Sequence, residues 1–392
     1  MEKTTNREMY QSLLELLDMG QWKDRRHLKT CVNMLIGLII SSTVSLTAWI
    51  PYAFGRHKIS QSVQRRYIRW LENMDIHIDK LYSPLIQKAL SEWGDNIIYL
   101  AIDTSMLWNT YCIIRISIVY RGRAIPLAWD VKKHGSSAIA FKIYKNVIYN
   151  AYYILKSFDK RIILLADRGF ADIKLIKLCK ELKWGFRIRI KGNFKIYSEK
   201  GKSYYAHALC PIRRGNAVFM YNVMITNERY GSVHLALAYD RKSKEKWYIV
   251  SSDIANIYTF EEYGFRFDIE ENFLDDKSNG FQLESSLIRT EEALKRLCFI
   301  ISIATLYLIA QGSEIVQKGK RRLIDPHWFR GHSYLRIGWD WVRATLAKGG
   351  GFLSGIYLYG GPDPEPAKSS KKQGEIRKRR FADFECNVLI LE

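Results

Sequence analysis

The sequence predicts an α/β protein: a mixed sheet with helices packed on it, preceded by an all-helical N-terminal region. Three observations carry this. Two apolar runs, NIIYLAID at 96–103 and RIILLAD at 161–167, read as buried strands. Strand and helix patterns alternate up to residue 190. Residues 1–92, by contrast, show helical periodicity only.

Taken in order, apolar helices are expected over 28–40 and 45–54, the second opening on Ser/Thr capping residues. GRHK at 55–58 reads as a turn. ISQSVQRRYIRWLENM follows as an amphipathic helix, with Ile59, Val63, Tyr67 and Trp70 on one stripe and Gln64, Arg65, Arg66 and Arg69 away from it. Helix, helix, Gly-containing turn and basic helix resemble a helix-turn-helix unit. On that reading residues 1–92 are a helical DNA-binding domain, those four polar residues are its contacts, and KDRRHLK at 23–29 adds positive charge. An ordinary bundle with a solvated basic face has the same pattern.

After the 96–103 strand, TYCIIRISIVY (110–120) and AIPLAWDVK (124–132) form a hairpin about RGR. Helices at 140–158 and 171–184 flank the 161–167 strand, and GFRIRI at 185–190 alternates like a strand. Residues 191–246 read as short strands and turns, a β-rich insertion that includes YYAHALCPI. KWYIVSSD at 246–253 returns to the buried-strand pattern, and 257–312 is mostly helical. The α/β domain therefore covers 93–312. A basic, less regular C-terminal region (313–392) carries the charged tail KSSKKQGEIRKRR at 368–380, read as mobile.

Lys and Arg number 61 against 40 Asp and Glu, a formal net charge of +21, so the partner is expected to be a polyanion, nucleic acid first. Hydrophobic residues at 47% exclude a disordered chain. The six cysteines form no CxxC pair and have no His at zinc-ligand spacing, which points to a reducing compartment. The polar N-terminus lacks a secretory signal. MLIGLIISSTVSLTAWIPYAF at 34–54 is long enough to span a bilayer, but its Ser/Thr residues and Pro51 break it; LCFIISIATLYLIA at 297–310 is too short. No membrane partner is expected.

The chemistry lies in the acids. Asp103 and Asp167 each end a buried strand, where ligands of α/β sheets collect. Two carboxylates brought together there repel unless a cation lies between them, and hard divalent ions prefer such ligands. An Asp that merely caps the next turn is the plain alternative. The segment YGFRFDIEENFLDDK at 263–277 supplies the rest. If it is one helix, Tyr263, Arg266, Glu270 and Lys277 share a stripe roughly 60° wide, beside an apolar stripe of Phe265, Ile269 and Phe273. Glu270 can join a metal site while Tyr263, Arg266 and Lys277 hold phosphate.

Asp103, Asp167 within ADRGF, and the ungapped Y-x2-R-x3-E-x6-K of 263–277 resemble the DDE transposases of bacterial insertion sequences, in the subgroup with the Tyr-Arg-Glu-Lys signature. Glu284, also on the stripe, is the closest rival to Glu270. The resemblance implies a ribonuclease-H-like catalytic core with a β-rich insertion. It implies Asp103, Asp167 and Glu270 as catalytic residues and ligands of two Mg²⁺ or Mn²⁺ ions, with Asp103 bridging them. It implies Tyr263, Arg266 and Lys277 on DNA phosphate, and Trp247 as a stacking partner for a flipped base. The partners would be double-stranded DNA (terminal inverted repeats and target), acted on by a homodimer in the bacterial cytoplasm, on the nucleoid when bound to DNA. Two other readings use the same acids differently: a ribonuclease-H-like nuclease or resolvase without strand transfer, and an inactive transposase-derived DNA-binding protein.

Overall fold

A computed structural model describes residues 2–55, 59–198, 200–326, 329–349, 351–352 and 355–391, with the side chains of 2–5 and 377–379 outside that description. Five helices come first: α1 (Glu2–Leu17), α2 (Arg25–Ser41), α3 (Leu46–Trp49), α4 (Ser60–Glu72) and α5 (Ile78–Ala89). Asp24 caps α2 by accepting from the Arg26 amide, and Ser42 in the left-handed region ends it. The chain then bends by 101° into the helical stretch that ends at Tyr52, so the apolar run at 34–54 is two helices, as its SSTVS break predicts. The expected turn at 55–58 falls mostly on 56–58, outside the described residues. On α4, Val63, Tyr67 and Trp70 are buried as expected, while Ile59 stands exposed just ahead of the helix.

Strands β1 (Ile97–Leu107), β2 (Tyr111–Tyr120) and β3 (Arg123–Lys133) form an antiparallel meander. Helix α6 (Phe141–Leu155) leads to β4 (Arg161–Ala166), and α7 (Ile173–Glu181) leads to β5 (Gly185–Arg189). β4 lies parallel to both β1 and β5. The β-rich segment continues the same sheet. β6 (Lys195–Tyr197), β7 (Ser203–Tyr205), a short helix α8 (Ala206–Leu209), β8 (Asn216–Ile225) and β9 (Tyr230–Tyr239) follow, and β10 (Lys246–Ser251) pairs antiparallel with β5. The strands continue one sheet in the order β3-β2-β1-β4-β5-β10-β9-β8-β6-β7. Within it, YYAHALCPI is a short strand turning into α8.

Next comes one right-handed helical run. It consists of α9 (Tyr258–Gly264), a tight 3₁₀ turn at Phe265–Phe267, α10 (Asp268–Leu274) and a widened π turn at Asp275–Asn279. The junction residues Gly264, Phe267 and Leu274 all keep helical backbone angles. Helix α11 (Glu291–Gln317) is long and apolar enough to cross a bilayer, yet 94% of its apolar window is buried inside the fold, as a core helix is.

Helix α12 (Tyr334–Lys348) crosses α11 at backbone contact. A Cβ on Gly312 would stand 2.1 Å from the Tyr334 carbonyl oxygen, and one on Gly338 would stand 1.8 Å from that of Leu308. The basic tail forms helix α13 (Lys368–Ala382), and β11 (Glu385–Val388) adds itself parallel to β8. Phe381 and Phe384 anchor this end in an apolar cluster with Trp247, Phe260 and Tyr263.

The N-terminal helices share their core with the sheet. Trp70 stacks on Phe299 of α11 at 6.3 Å, the Tyr82 hydroxyl donates to the Pro126 carbonyl at 2.7 Å, and Trp339 Nε1 donates to the Ile39 carbonyl at 2.8 Å. The close crossing of α11 and α12 is part of that core. Gly338→Ala should therefore lower stability by about 1–3 kcal/mol, read as a lower urea midpoint with an unchanged slope; an unaltered midpoint would show that the helices can part freely.

Candidate active site

β1 and β4 run parallel in register, with Ile102 opposite Ala166. Asp103 and Asp167 are the next residues on the two chains. Neighbouring strands lie about 4.8 Å apart, and paired residues project to the same face. The shared register therefore sets the two carboxyl groups side by side. Each is held by a backbone amide: Thr104 donates to Asp103 Oδ1 at 2.8 Å, and Gly169 to Asp167 Oδ1 at 2.8 Å. The cap of the RGF turn and the strand-end acid are thus one and the same at Asp167.

The helical run 258–279 lies lengthwise over β1. The Tyr99 hydroxyl donates to Glu262 at 3.0 Å, Arg266 meets Asp103, and Lys277 Nζ donates to the Met106 carbonyl at 2.5 Å. Tyr99 to Met106 covers about 23 Å of strand, and Glu262 to Lys277 about 22 Å of helix, so the two stay in step.

Arg266 is the centre of the cluster. Its Nη1 lies 3.0 Å from Asp103 Oδ2 and its Nη2 lies 2.6 Å from Glu270 Oε1. The guanidinium packs 4.7 Å from the Phe267 ring centroid. Arg266 is buried, whereas the Glu270 side chain is 51% exposed and reachable from solvent. Burial pushes the Asp103 carboxyl up to about 6; Arg266 opposes this, and the charges of Asp167 and Glu270 add to it. Burial works against the Arg266 charge, but Tyr263, Asp103 and Glu270 outweigh it and hold the guanidinium charged more firmly than an ordinary arginine.

The structure therefore sets Asp103 beside Asp167 and joins Asp103 to Glu270 through Arg266. The remaining expected residues are placed differently. Tyr263 is buried, with its ring edge-on to Trp247 at 5.6 Å, and burial raises its phenol. Lys277 holds the end of the run on β1, 3.7 Å from Glu284. Glu284 is not on the stripe: the helix stops at Asn279, Gln282 takes the left-handed region, and Glu284 sits in a separate turn. Trp247 is buried, flanked by the guanidinium groups of Arg189 at 5.5 Å and Arg380 at 5.0 Å, and has no free face for a base.

On α4, Arg65 and Arg69 are exposed. Gln64 donates to Thr47 Oγ1 at 3.0 Å, and Arg66 is half-buried against the Tyr67 ring at 6.0 Å. The KDRRHLK charges are partly neutralised by Lys23–Asp75, Arg25–Asp18 and Arg26–Asp24 pairs.

Two residues that hold the site escaped the sequence reading. Arg115 is the direct partner of Asp103 across β1 and β2, wholly buried, with Asp276 at 2.5 Å and Asn272 at 2.9 Å. Its signal was a lone cation within the apolar run TYCIIRISIVY. Arg187, in GFRIRI, grips Glu262 at 2.6 Å and Asp253 at 2.8 Å.

The acids fit divalent cations by donor chemistry: all three are hard oxygen donors, and Asp103 and Glu270 share one guanidinium, which leaves an acidic surplus. As arranged, Arg266 stands between Asp103 and Glu270. Among the described residues, no three acidic, His or Cys side chains close on a common point.

Next to this cluster, burial pushes Asp275 up to about 6 with Asp276 and Glu271 adding, while Arg123, 3.0 Å away, opposes. Its folded pKa lies above the unfolded one, so its contribution is present at low pH and lost as pH rises through about 6. Asp275→Asn should therefore gain on wild type by on the order of 2 kcal/mol between about pH 4 and about pH 7, read from urea midpoints; parallel pH profiles would count against the burial.

Residues 144–307 match the model of the family described as Transposase DDE domain. The matched span contains Asp167 and the whole helical run, and Asp103 lies ahead of it. No curated protein matches the chain. Over that span the chain is similar to a DDE transposase domain, which supports an enzyme of the polynucleotidyl transferase and nuclease class acting in DNA transposition and recombination.

Proposed function

We propose that the protein is an insertion-sequence transposase of the Tyr-Arg-Glu-Lys subgroup, built on a ribonuclease-H-like core. It binds the terminal inverted repeats of its element as a homodimer, cleaves DNA there and joins the freed end to target DNA. The observation that carries this is the strand register that sets Asp103 beside Asp167, with Arg266 and Glu270 laid over them by the helical run.

Asp103, Asp167 and Glu270 are the residues that would hold two Mg²⁺ or Mn²⁺ ions. When bound, such ions activate the attacking hydroxyl and stabilise the departing 3′ oxygen in phosphoryl transfer. The chain's own contribution is positioning. The Thr104 and Gly169 amides fix one oxygen of each aspartate, so both carboxylates present themselves from the rigid sheet. Glu270 is the solvent-facing member and the one a DNA strand reaches first. Arg266 neutralises the acids until cations and substrate arrive; its planar fork then suits a phosphate of the complementary strand. Lys277 adds positive charge at the far end of the same line. The buried Tyr263 supports Arg266 through its ring, 6.0 Å from the guanidinium. On α4, Arg65 and Arg69 supply exposed cations for DNA, with Gln64 and Arg66 beside them.

The test uses DNA carrying the element's terminal repeat. Wild type should cleave it in Mg²⁺, and Asp103→Asn and Glu270→Gln should each lose roughly a hundredfold or more in rate while still binding the DNA. Full activity in both variants would remove the assignment. Offering a pre-cut end then separates a transposase, which joins it to a second DNA, from a nuclease, which does not.

A further inference from the structure

A groove of about 630 Å³ opens immediately beyond Asp167. Arg168 and Gly169, of the turn that positions Asp167, form one wall; Lys191, Lys195 and Asn227 line it further out, with Tyr205 and His207. Among the described residues, no acidic side chain lines it. Cations elsewhere in the fold are commonly paired, yet among the described residues Arg168, Lys191 and Lys195 are in no ion pair. Tyr205 is 46% exposed and stacks on the His207 ring, with centroids 5.6 Å apart and planes 13° apart. The His207 ring is itself fixed, its Nδ1 donating to the Gly192 carbonyl at 2.9 Å.

A row of unpaired cations suits a phosphate backbone, and duplex or single strand would satisfy it equally. The ring pair decides between them. The bases of a duplex are stacked on one another, so an exposed aromatic face on a fixed support serves only a base that has left the stack. We infer that this groove binds an unpaired DNA strand leaving the active site, with Arg168, Lys191 and Lys195 on its phosphates and a base stacked on Tyr205. The inference rests on the proposed DNA substrate and adds to it the single-stranded state and the path of the strand.

The test is binding of the full chain, in EDTA, to a fluorescein-labelled short duplex ending either blunt or in a single-stranded fork, read by anisotropy. The forked DNA should bind about tenfold more tightly. Tyr205→Ala should erase that preference and Tyr205→Phe should keep it. Lys191→Ala with Lys195→Ala should weaken forked binding and flatten its salt dependence. Equal binding of forked and blunt DNA by wild type, or an undiminished preference in Tyr205→Ala, overturns the inference. Cleavage is read separately. A protein that cuts its ends yet ignores the fork refutes the groove alone, and one that prefers the fork through Tyr205 yet never cuts refutes the proposed enzyme activity alone.

Discussion

The buried guanidinium of Arg115 sets the terms for the candidate cluster of acids. A charge wholly removed from water at the centre of a sheet is tolerable only if opposite charge and hydrogen-bond acceptors come to it. Here they come from one helical run, as Asp276 and Asn272, with the Phe273 ring 4.9 Å away. Once those residues are docked, the geometry of a helix over a strand leaves little freedom upstream. Arg266 arrives over Asp103, and Glu262 arrives at Arg187 and Tyr99. Because Arg115 and Asp103 are direct cross-strand partners, the structural ion pair and the chemical one sit on the same rung of the sheet.

Much of this was legible in the sequence because it depends on local pattern. Apolar runs that stop at an acid gave the positions of Asp103 and Asp167. Periodicity gave the polar line through Arg266 and Glu270. What periodicity could not supply was depth. The run tightens at Phe265–Phe267 and widens at Asp275–Asn279, so residues on one nominal stripe range from buried Tyr263 to half-exposed Glu270. Glu284 failed as a rival because Gly280 and Gln282 leave the helix before it. The place of the segment 191–246 in the sheet was not legible because strand patterns do not reveal their partners; it joins through β10, which pairs with both β5 and β9. Trp247 shows the same limit, since an aromatic in a strand reads alike whether it faces a ligand or a core.

Net charge also needed the fold to be interpreted. Several arginines counted in the basic excess are internal fasteners. Arg115, Arg187, Arg266 and Arg321 are buried, and each meets carboxylates; Arg321 lies 3.2 Å from both Asp325 and Asp363. The positive field available to DNA therefore comes from the unpaired and exposed cations, such as Arg65, Arg69, Lys191 and Lys195. These lie on surfaces, where a formal count of +21 does not say how they are distributed.

The closure of the second apolar cluster has a temporal side. Phe381 and Phe384 wall the chamber that holds Tyr263, and β11 takes its place against β8. These segments leave the ribosome long after the acids and Arg266 have been made. The support behind Tyr263 is assembled only when α13 and β11 fold back onto the sheet. The segments that carry Asp103, Asp167 and Glu270 therefore gain their full support only from residues made much later in the chain.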